Sequence, residues 1–205
     1  MSFSDEFLKE EEIILNSIKK YQEMIREQRD KLNILFDWLE EAKTQKKHIH
    51  IYGKGRSGTA AAALALRLDQ FGYPVSFIGD LIKKRIHKGD VVILFSGSGE
   101  TSDVVDVSKR AKKEKAKVVG ITSYKDSNLA RYSNLVIFIP GGMEKKKGWD
   151  YLEAQLSKNT EIYGGGEFEL AAYLFQETFV NALGKYKGIP GGVVAKSHER
   201  DEVLE

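Results

Sequence analysis

Five consecutive apolar residues, Val91-Val-Ile-Leu-Phe95, run without a break into Ser96-Gly97-Ser98-Gly99-Glu100-Thr101. A run this short and this uniformly apolar is expected as a strand buried on both faces, as in a parallel sheet with helices on either side. Parallel strands need long crossover connections, so helical segments must stand between the other strands. The pattern supplies them. His48 to Tyr52 is expected as a strand ending in Gly53-Lys54-Gly55-Arg56-Ser57-Gly58, and Thr59 to Phe71 as an Ala/Leu-rich helix stopped by Gly72 and Pro74. Val75 to Ile78 is expected as strand, Ser102 to Lys113 as helix, Lys117 to Thr122 as strand, Ser127 to Tyr132 as a short helix and Leu135 to Ile139 as strand. Five strands alternating with helices predict an α/β chain with a doubly wound parallel sheet.

Ahead of this unit, Asp5 to about Lys43 contains no Gly or Pro and repeats apolar residues at helical spacing: Ile14, Ile18, Tyr21, Ile25, Leu32, Leu35 and Leu39. A long amphipathic helix is expected, capped by Ser4, with a break between Arg26 and Lys31 because Gln28 stands where the stripe calls for an apolar residue. The stripe either covers the core or forms the seam of a homo-oligomer. Residues 1–46 are thus expected as a helical segment and 47–205 as the main domain. After Leu135–Ile139, Gly141 to Tyr163 is polar and irregular apart from Trp149 to Leu156, and its Lys145–Lys147 run reads as a solvated loop face. A last helix is expected from Phe168 to Leu183, with an irregular tail from Gly184.

Charge and composition narrow the function. Thirty-two Lys and Arg against thirty Asp and Glu leave a net charge of +2, which argues against nucleic acid as a partner. The absence of cysteine removes thiolate metal sites, iron–sulfur clusters and cysteine nucleophiles, and suits a reducing cytoplasm. The N-terminus, MSFSDEFLKEEE, is acidic where a secretory signal is basic, and no apolar run approaches a membrane span. His48 and His50 share a strand face, but no third ligand is placed by the sequence, so no metal site is expected. His87 reads as solvated.

Ligands of an open parallel sheet bind beyond the carboxyl ends of its strands. Two loops stand there. The first, Gly53 to Gly58, fits the G-x-G-x-x-G spacing of a dinucleotide turn, with Asp80 placed like a ribose-binding acid; it is equally readable as a structural tight turn. In the second, Ser96, Ser98 and Thr101 offer three hydroxyls among Gly97 and Gly99, ahead of a helix N-terminus, which suits a phosphate monoester. Turn chemistry alone also uses such hydroxyls.

Gly55-Arg56-Ser57-Gly58 and Ser96-Gly97-Ser98-Gly99-Glu100-Thr101, each at a strand end, resemble the sugar isomerase (SIS) domain. With Val118 to Ser123, Asp126-Ser127-x-Leu129-Ala130 and Ile139-Pro140-Gly141, the chain is similar to the 6-phospho-3-hexuloisomerase branch. The resemblance covers about Ile49 to the C-terminus. It implies a flavodoxin-like three-layer sandwich with a five-stranded parallel sheet, and an N-terminal helix that takes part in oligomers, dimer or tetramer. It implies cofactor-free interconversion of 3-hexulose 6-phosphate and fructose 6-phosphate, with Gly55, Arg56, Ser57, Ser96, Gly97, Ser98 and Thr101 binding the phosphorylated sugar. The family's Gly-x-x-Phe-Glu segment matches Gly165 to Glu169, which makes Glu169 the base and Glu167 its near competitor. His198 matches a C-terminal histidine that moves protons, often in a neighbouring subunit. Lys54 departs from the small residue usual in the family, and Gly164-Gly165-Gly166 from its Pro-x-Gly-Ser/Thr, which bears on the identity of the sugar. Other aldose–ketose phosphate isomerases (arabinose 5-phosphate or sedoheptulose 7-phosphate), a non-catalytic sugar-phosphate sensor and an NAD-binding enzyme are the alternatives.

Overall fold

The computed structural model describes residues 2–81, 83–141, 162, 165–193 and 195. Strands β1 (Ile49–Gly53), β2 (Val75–Phe77), β3 (Val91–Phe95), β4 (Lys117–Thr122) and β5 (Leu135–Phe138) form one all-parallel sheet in the order β2-β1-β3-β4-β5. This is the doubly wound, flavodoxin-like order expected from the strand–helix alternation. Helices α1 (Phe3–Arg26), α2 (Arg29–Thr44), α3 (Arg56–Gln70), α4 (Ser102–Lys113), α5 (Asn128–Tyr132) and α6 (Glu167–Tyr186) cover it on both sides.

Alternation along β3 explains the two cores. Val91, Ile93 and Phe95 point to one face and pack with α2, α3 and α6; Val92 and Leu94 point to the other and pack with α4 and α5. All five are fully buried, each contributing about 1.5–3 kcal/mol of apolar transfer. The register aligns Gly53 of β1 with Phe95 of β3, so the loops that follow them leave the sheet side by side. This places both glycine-containing loops at one edge.

The N-terminal helix differs from the sequence expectation in two ways. Its cap is Ser2, not Ser4: the Ser2 hydroxyl accepts the Asp5 amide at 3.2 Å while the Asp5 carboxylate accepts the Ser2 amide at 2.8 Å, a reciprocal pair that Ser4 does not form. The expected break is real and divides α1 from α2 at Glu27 and Gln28. Gln28 turns inward there and is 7% exposed. Its Oε1 accepts the Phe138 amide at 2.9 Å, and its Nε2 donates to the Phe138 carbonyl at 2.7 Å and to the Met24 carbonyl at 3.0 Å. The polar residue in the stripe therefore serves the backbone of edge strand β5. On α1 only Ser17 and Tyr21 are buried, and burial lifts the Tyr21 phenol to about 12. The last helix runs past Leu183 to Tyr186, through Gly184, which lies against the Phe71 ring, where a Cβ would stand 3.2 Å from it.

Beneath the sheet, His50 is buried and its Nε2 lies 3.1 Å from Asp90 Oδ2. Asp90 also accepts the backbone amides of His48 at 3.0 Å and His87 at 2.7 Å, which ties the start of β1 to the start of β3. Burial holds the His50 pKa below its usual value, against the opposing pull of Asp90. The neutral ring agrees with Nδ1, which has no partner among the described residues and would become a stranded donor on protonation. Among the described residues, no group of three His, Asp or Glu could hold a metal ion, and no helix is long and apolar enough to cross a membrane. The polar stretch after Gly141, Ile162 apart, and His198 lie outside the described residues up to Gly165 and beyond Ala195 respectively.

Candidate functional site

The first loop owes its glycine spacing to close packing. A Cβ on Gly53 would stand 2.8 Å from the Ser57 carbonyl oxygen, and one on Gly58 would stand 2.9 Å from that of Gly53. The strand end and the first turn of α3 thus touch backbone to backbone, which sets Arg56 and Ser57 at the helix start. Ser57 is buried and its hydroxyl donates to Glu169 Oε1 at 3.2 Å, 112 residues on. Arg56 Nη2 donates to the Gly165 carbonyl at 2.9 Å and stands 3.7 Å from Glu169 Oε2. That second carboxylate oxygen is shielded from solvent and accepts no hydrogen bond among the described residues. Asp80, the ribose-acid candidate, is exposed beyond the end of β2.

Glu169 and Glu167 both stand in the first turn of α6, yet they face different neighbours. Glu167 is buried, and its Oε1 accepts the Ile162 amide at 2.9 Å. It lies against Gly141, where a Cβ would come within 2.2 Å of Glu167 Cβ. Glu167 therefore brackets the residues on either side of the 142–161 stretch, whereas Glu169 meets the first loop.

The second loop is held by its own hydroxyls and by β4. Ser96 Oγ lies 2.9 Å from Thr101 Oγ1 and accepts the Gly99 amide at 3.1 Å; Ser98 Oγ accepts the Glu100 amide at 3.1 Å. Ser96 is buried, while Ser98 and Thr101 are partly open. The Gly97 carbonyl is taken up by Thr122 Oγ1 at 3.2 Å and by the Ser123 amide at 3.1 Å, which turns its negative end into β4. Gly99 has φ +66°, and a Cβ there would collide with Ser127 Oγ at 2.2 Å, so the tight turn requires glycine on two counts. Thr101 is the N-cap of α4 but makes no side-chain cap bond, which leaves the first-turn amides open to an anion. The acid in that turn, Asp103, is neutralised by an ion pair with Lys54 of the first loop. The Lys54 ammonium holds the Asp103 carboxyl low, and Asp103 raises Lys54 in return.

All the sequence-predicted residues except His198, which is not described, gather at this one edge of the sheet. Sequence reasoning missed the supports. Glu100 accepts the Asn128 amide at 2.7 Å and its Nδ2 at 2.6 Å, which clamps the serine loop to the start of α5. Thr122 and Ser123 were equally unassigned. Their signal was available: hydroxyls at the carboxyl end of the strand next to β3.

Residues 44–159 match the SIS domain family. An uncharacterized protein of Archaeoglobus fulgidus is 38% identical over 134 residues, spanning 65% of this chain and 69% of its own length. The 3-hexulose-6-phosphate isomerase of Mycobacterium gastri is 32% identical over 139 residues, 68% of this chain and 66% of that protein. A Methanococcus jannaschii protein, whose crystal structure infers a function of 3-hexulose-6-phosphate isomerase, superposes with a TM-score of 0.71 at 26% identity, covering 92% of this chain and 96% of that one.

Proposed function

The chain belongs to the SIS domain family, and from that premise we propose that it is a sugar-phosphate isomerase that interconverts 3-hexulose 6-phosphate and fructose 6-phosphate. The observation that carries the reading is the Glu169 carboxylate. Its Oε1 accepts from Ser57 of the first loop, and its Oε2 is shielded and accepts no hydrogen bond among the described residues; Oε2 of Glu167 is also unbonded, but Glu167 turns to Gly141 and Ile162 rather than to that loop. A carboxylate oxygen shielded from solvent and free of a hydrogen bond is placed to accept a proton from a carbon acid, with the Arg56 guanidinium 3.7 Å away.

In the forward direction Glu169 takes the proton from C2, and the electron pair moves into a C2–C3 double bond while the C3 carbonyl oxygen becomes an oxyanion. That oxyanion takes up a proton, the C2 hydroxyl gives one up to become the carbonyl, and Glu169 returns its proton to C3. No electron leaves the substrate, so the reaction needs no redox cofactor. Proton movement between O2 and O3 falls to His198 on the family resemblance. Ser98, Thr101 and the first amides of α4 hold the phosphate, Gly55 and Gly97 let backbone approach it, and Ser96 shapes their loop. Arg56 and Ser57 also face the sugar.

Enzymatic assay of fructose 6-phosphate formed from 3-hexulose 6-phosphate tests the reading. Glu169→Gln is expected to lower kcat by at least about 10³-fold, as loss of a general base does, while fructose 6-phosphate still raises the Tm of the variant. A variant that turns over normally removes Glu169 as the base. A panel with arabinose 5-phosphate and sedoheptulose 7-phosphate decides the sugar, and binding without turnover of any member identifies a sensor instead. The proposal includes a homo-oligomer joined through the N-terminal helices. Phe3, Phe7, Leu8 and Leu15 of α1 are exposed, and an apolar groove of about 520 Å³ between α1, α2 and α6 includes Ile25, Phe36 and Phe179. Sedimentation as a monomer at micromolar concentration contradicts it.

A further inference from the structure

Among its described residues, the crossover from β2 to β3 contains no helix. A right-handed connection from β2 over β1 passes on the face that carries α4 and α5, and among the described residues that face lacks a third helix. What remains is a trough between the crossover and α4, about 18 Å long from the twelve residues of that helix. Toward the C-terminal end of α4 it widens into a cleft of about 810 Å³, a volume in the range of small-molecule sites.

The floor of the cleft is apolar, with Val107 buried and Ile86 packed beside the core of α4 and α5. Its rim is cationic. Lys83, Lys84 and Arg85 come from the crossover, and Arg110 and Lys113 from α4, against the single carboxylate of Glu114. None of these five cations forms an ion pair among the described residues; Arg110 only donates through Nε to the Asp106 carbonyl, at 3.4 Å. The helix dipole accounts for basic residues in the last turn of α4. It does not account for the three on another element that line the same cleft. The crossover is anchored, since the Lys84 amide donates to Ser76 Oγ at 3.1 Å and the His87 amide to Asp90 at 2.7 Å, so the cations stand on a fixed wall. In the other half of the trough Asp103 and Asp106 are paired with Lys54 and Lys109, so the unpaired positive charge is concentrated in the cleft, which favours a compact polyanion over one that runs the length of the trough.

The geometry points to a second ligand site, apart from the serine loop, for a compact polyanion with an apolar ring: a nucleoside polyphosphate. The base lies on Ile86 and Val107, and the phosphate chain is held by the lysines and by the guanidinium forks of Arg85 and Arg110. The site does not rest on the isomerase reading.

Calorimetric titration of the full chain with ATP, ADP, AMP and inorganic tripolyphosphate tests it. Saturable binding of one ATP per chain is expected, weakening from ATP to ADP to AMP and at higher salt. The double substitution Arg85→Ala with Arg110→Ala is expected to weaken ATP at least tenfold with an unchanged Tm, since both side chains are exposed. Ser98→Ala and saturating fructose 6-phosphate are expected to leave ATP binding unchanged. Four results overturn the proposal: no saturable ATP binding; displacement of ATP by fructose 6-phosphate; tripolyphosphate binding as tightly as ATP; or an RNA homopolymer or an acidic peptide binding more tightly than ATP.

Discussion

Replacing Gln28 with alanine isolates a contact that joins the helical N-terminus to the sheet. The carboxamide makes four hydrogen bonds, two to the amide and carbonyl of Phe138, one to the Met24 carbonyl and one accepted from Lys31 Nζ. Among the described residues β5 has a strand neighbour only on its β4 side, so at Phe138 the carboxamide stands in for the next strand. Truncation removes bonds worth about 0.5–1.5 kcal/mol each, and any Phe138 group left dry costs about 1–3 kcal/mol. The sum, allowing for water reaching part of the gap, is about 2–4 kcal/mol, or a Tm lower by about 5–15 °C in a chain of this length. Urea unfolding followed by circular dichroism should show the midpoint fall with m unchanged, and amide exchange should accelerate at Phe138 while Val119 in β4 keeps its protection. A stability loss under about 0.5 kcal/mol, or an unchanged exchange rate at Phe138, would mean that water replaces the carboxamide at no cost and would refute the reasoning.

Asn128→Ala removes the Nδ2 bond to Glu100, keeps the backbone-amide bond and so loosens the serine loop, and KM for the sugar phosphate should rise by up to about tenfold, the worth of one charge-assisted bond, with kcat changed less than threefold. An unchanged KM in steady-state assays would assign the Glu100 clamp to stability alone. His50 makes stability pH-dependent: its folded pKa is held below 6.5 by burial, so as pH falls below about 6.5 the unfolded chain takes up a proton that the folded chain refuses. Stability should drop in that window with a slope approaching about 1.4 kcal/mol per pH unit, and be indifferent to His50 above it. Urea unfolding between pH 5 and 7 should show a shallower slope for His50→Gln; equal slopes in the two proteins would contradict the assignment.

The elements were legible because periodicity is a local property. Val91–Phe95, Ser102–Lys113 and Lys117–Thr122 have the bounds that their apolar spacing predicts, and the remaining strands differ by a residue at one or both ends. Capping was harder to read, since Ser2 and Ser4 are both acceptable caps and only the reciprocal bond with Asp5 decides between them. Gln28 was visible as an anomaly in a stripe, with nothing nearby to explain it. The two loops of the candidate site were recognisable as motifs, whereas the roles of Lys54, Glu100, Thr122 and Asn128 depend on which strand ends are neighbours.

The amino-acid order alone determined the class of fold, the succession of strands and helices, and the two loops that a parallel sheet would present at its carboxyl edge. Each of these follows from turn residues and from spacings of two or three to four residues. The three-dimensional arrangement decided the pairings: Gln28 with Phe138 across 110 residues, Ser57 with Glu169 across 112, and Lys54 with Asp103 across 49. A hydrogen bond is specified by distance and direction in space, and contacts so far apart along the chain leave no periodic trace in it; strand order and register bring the partners within reach.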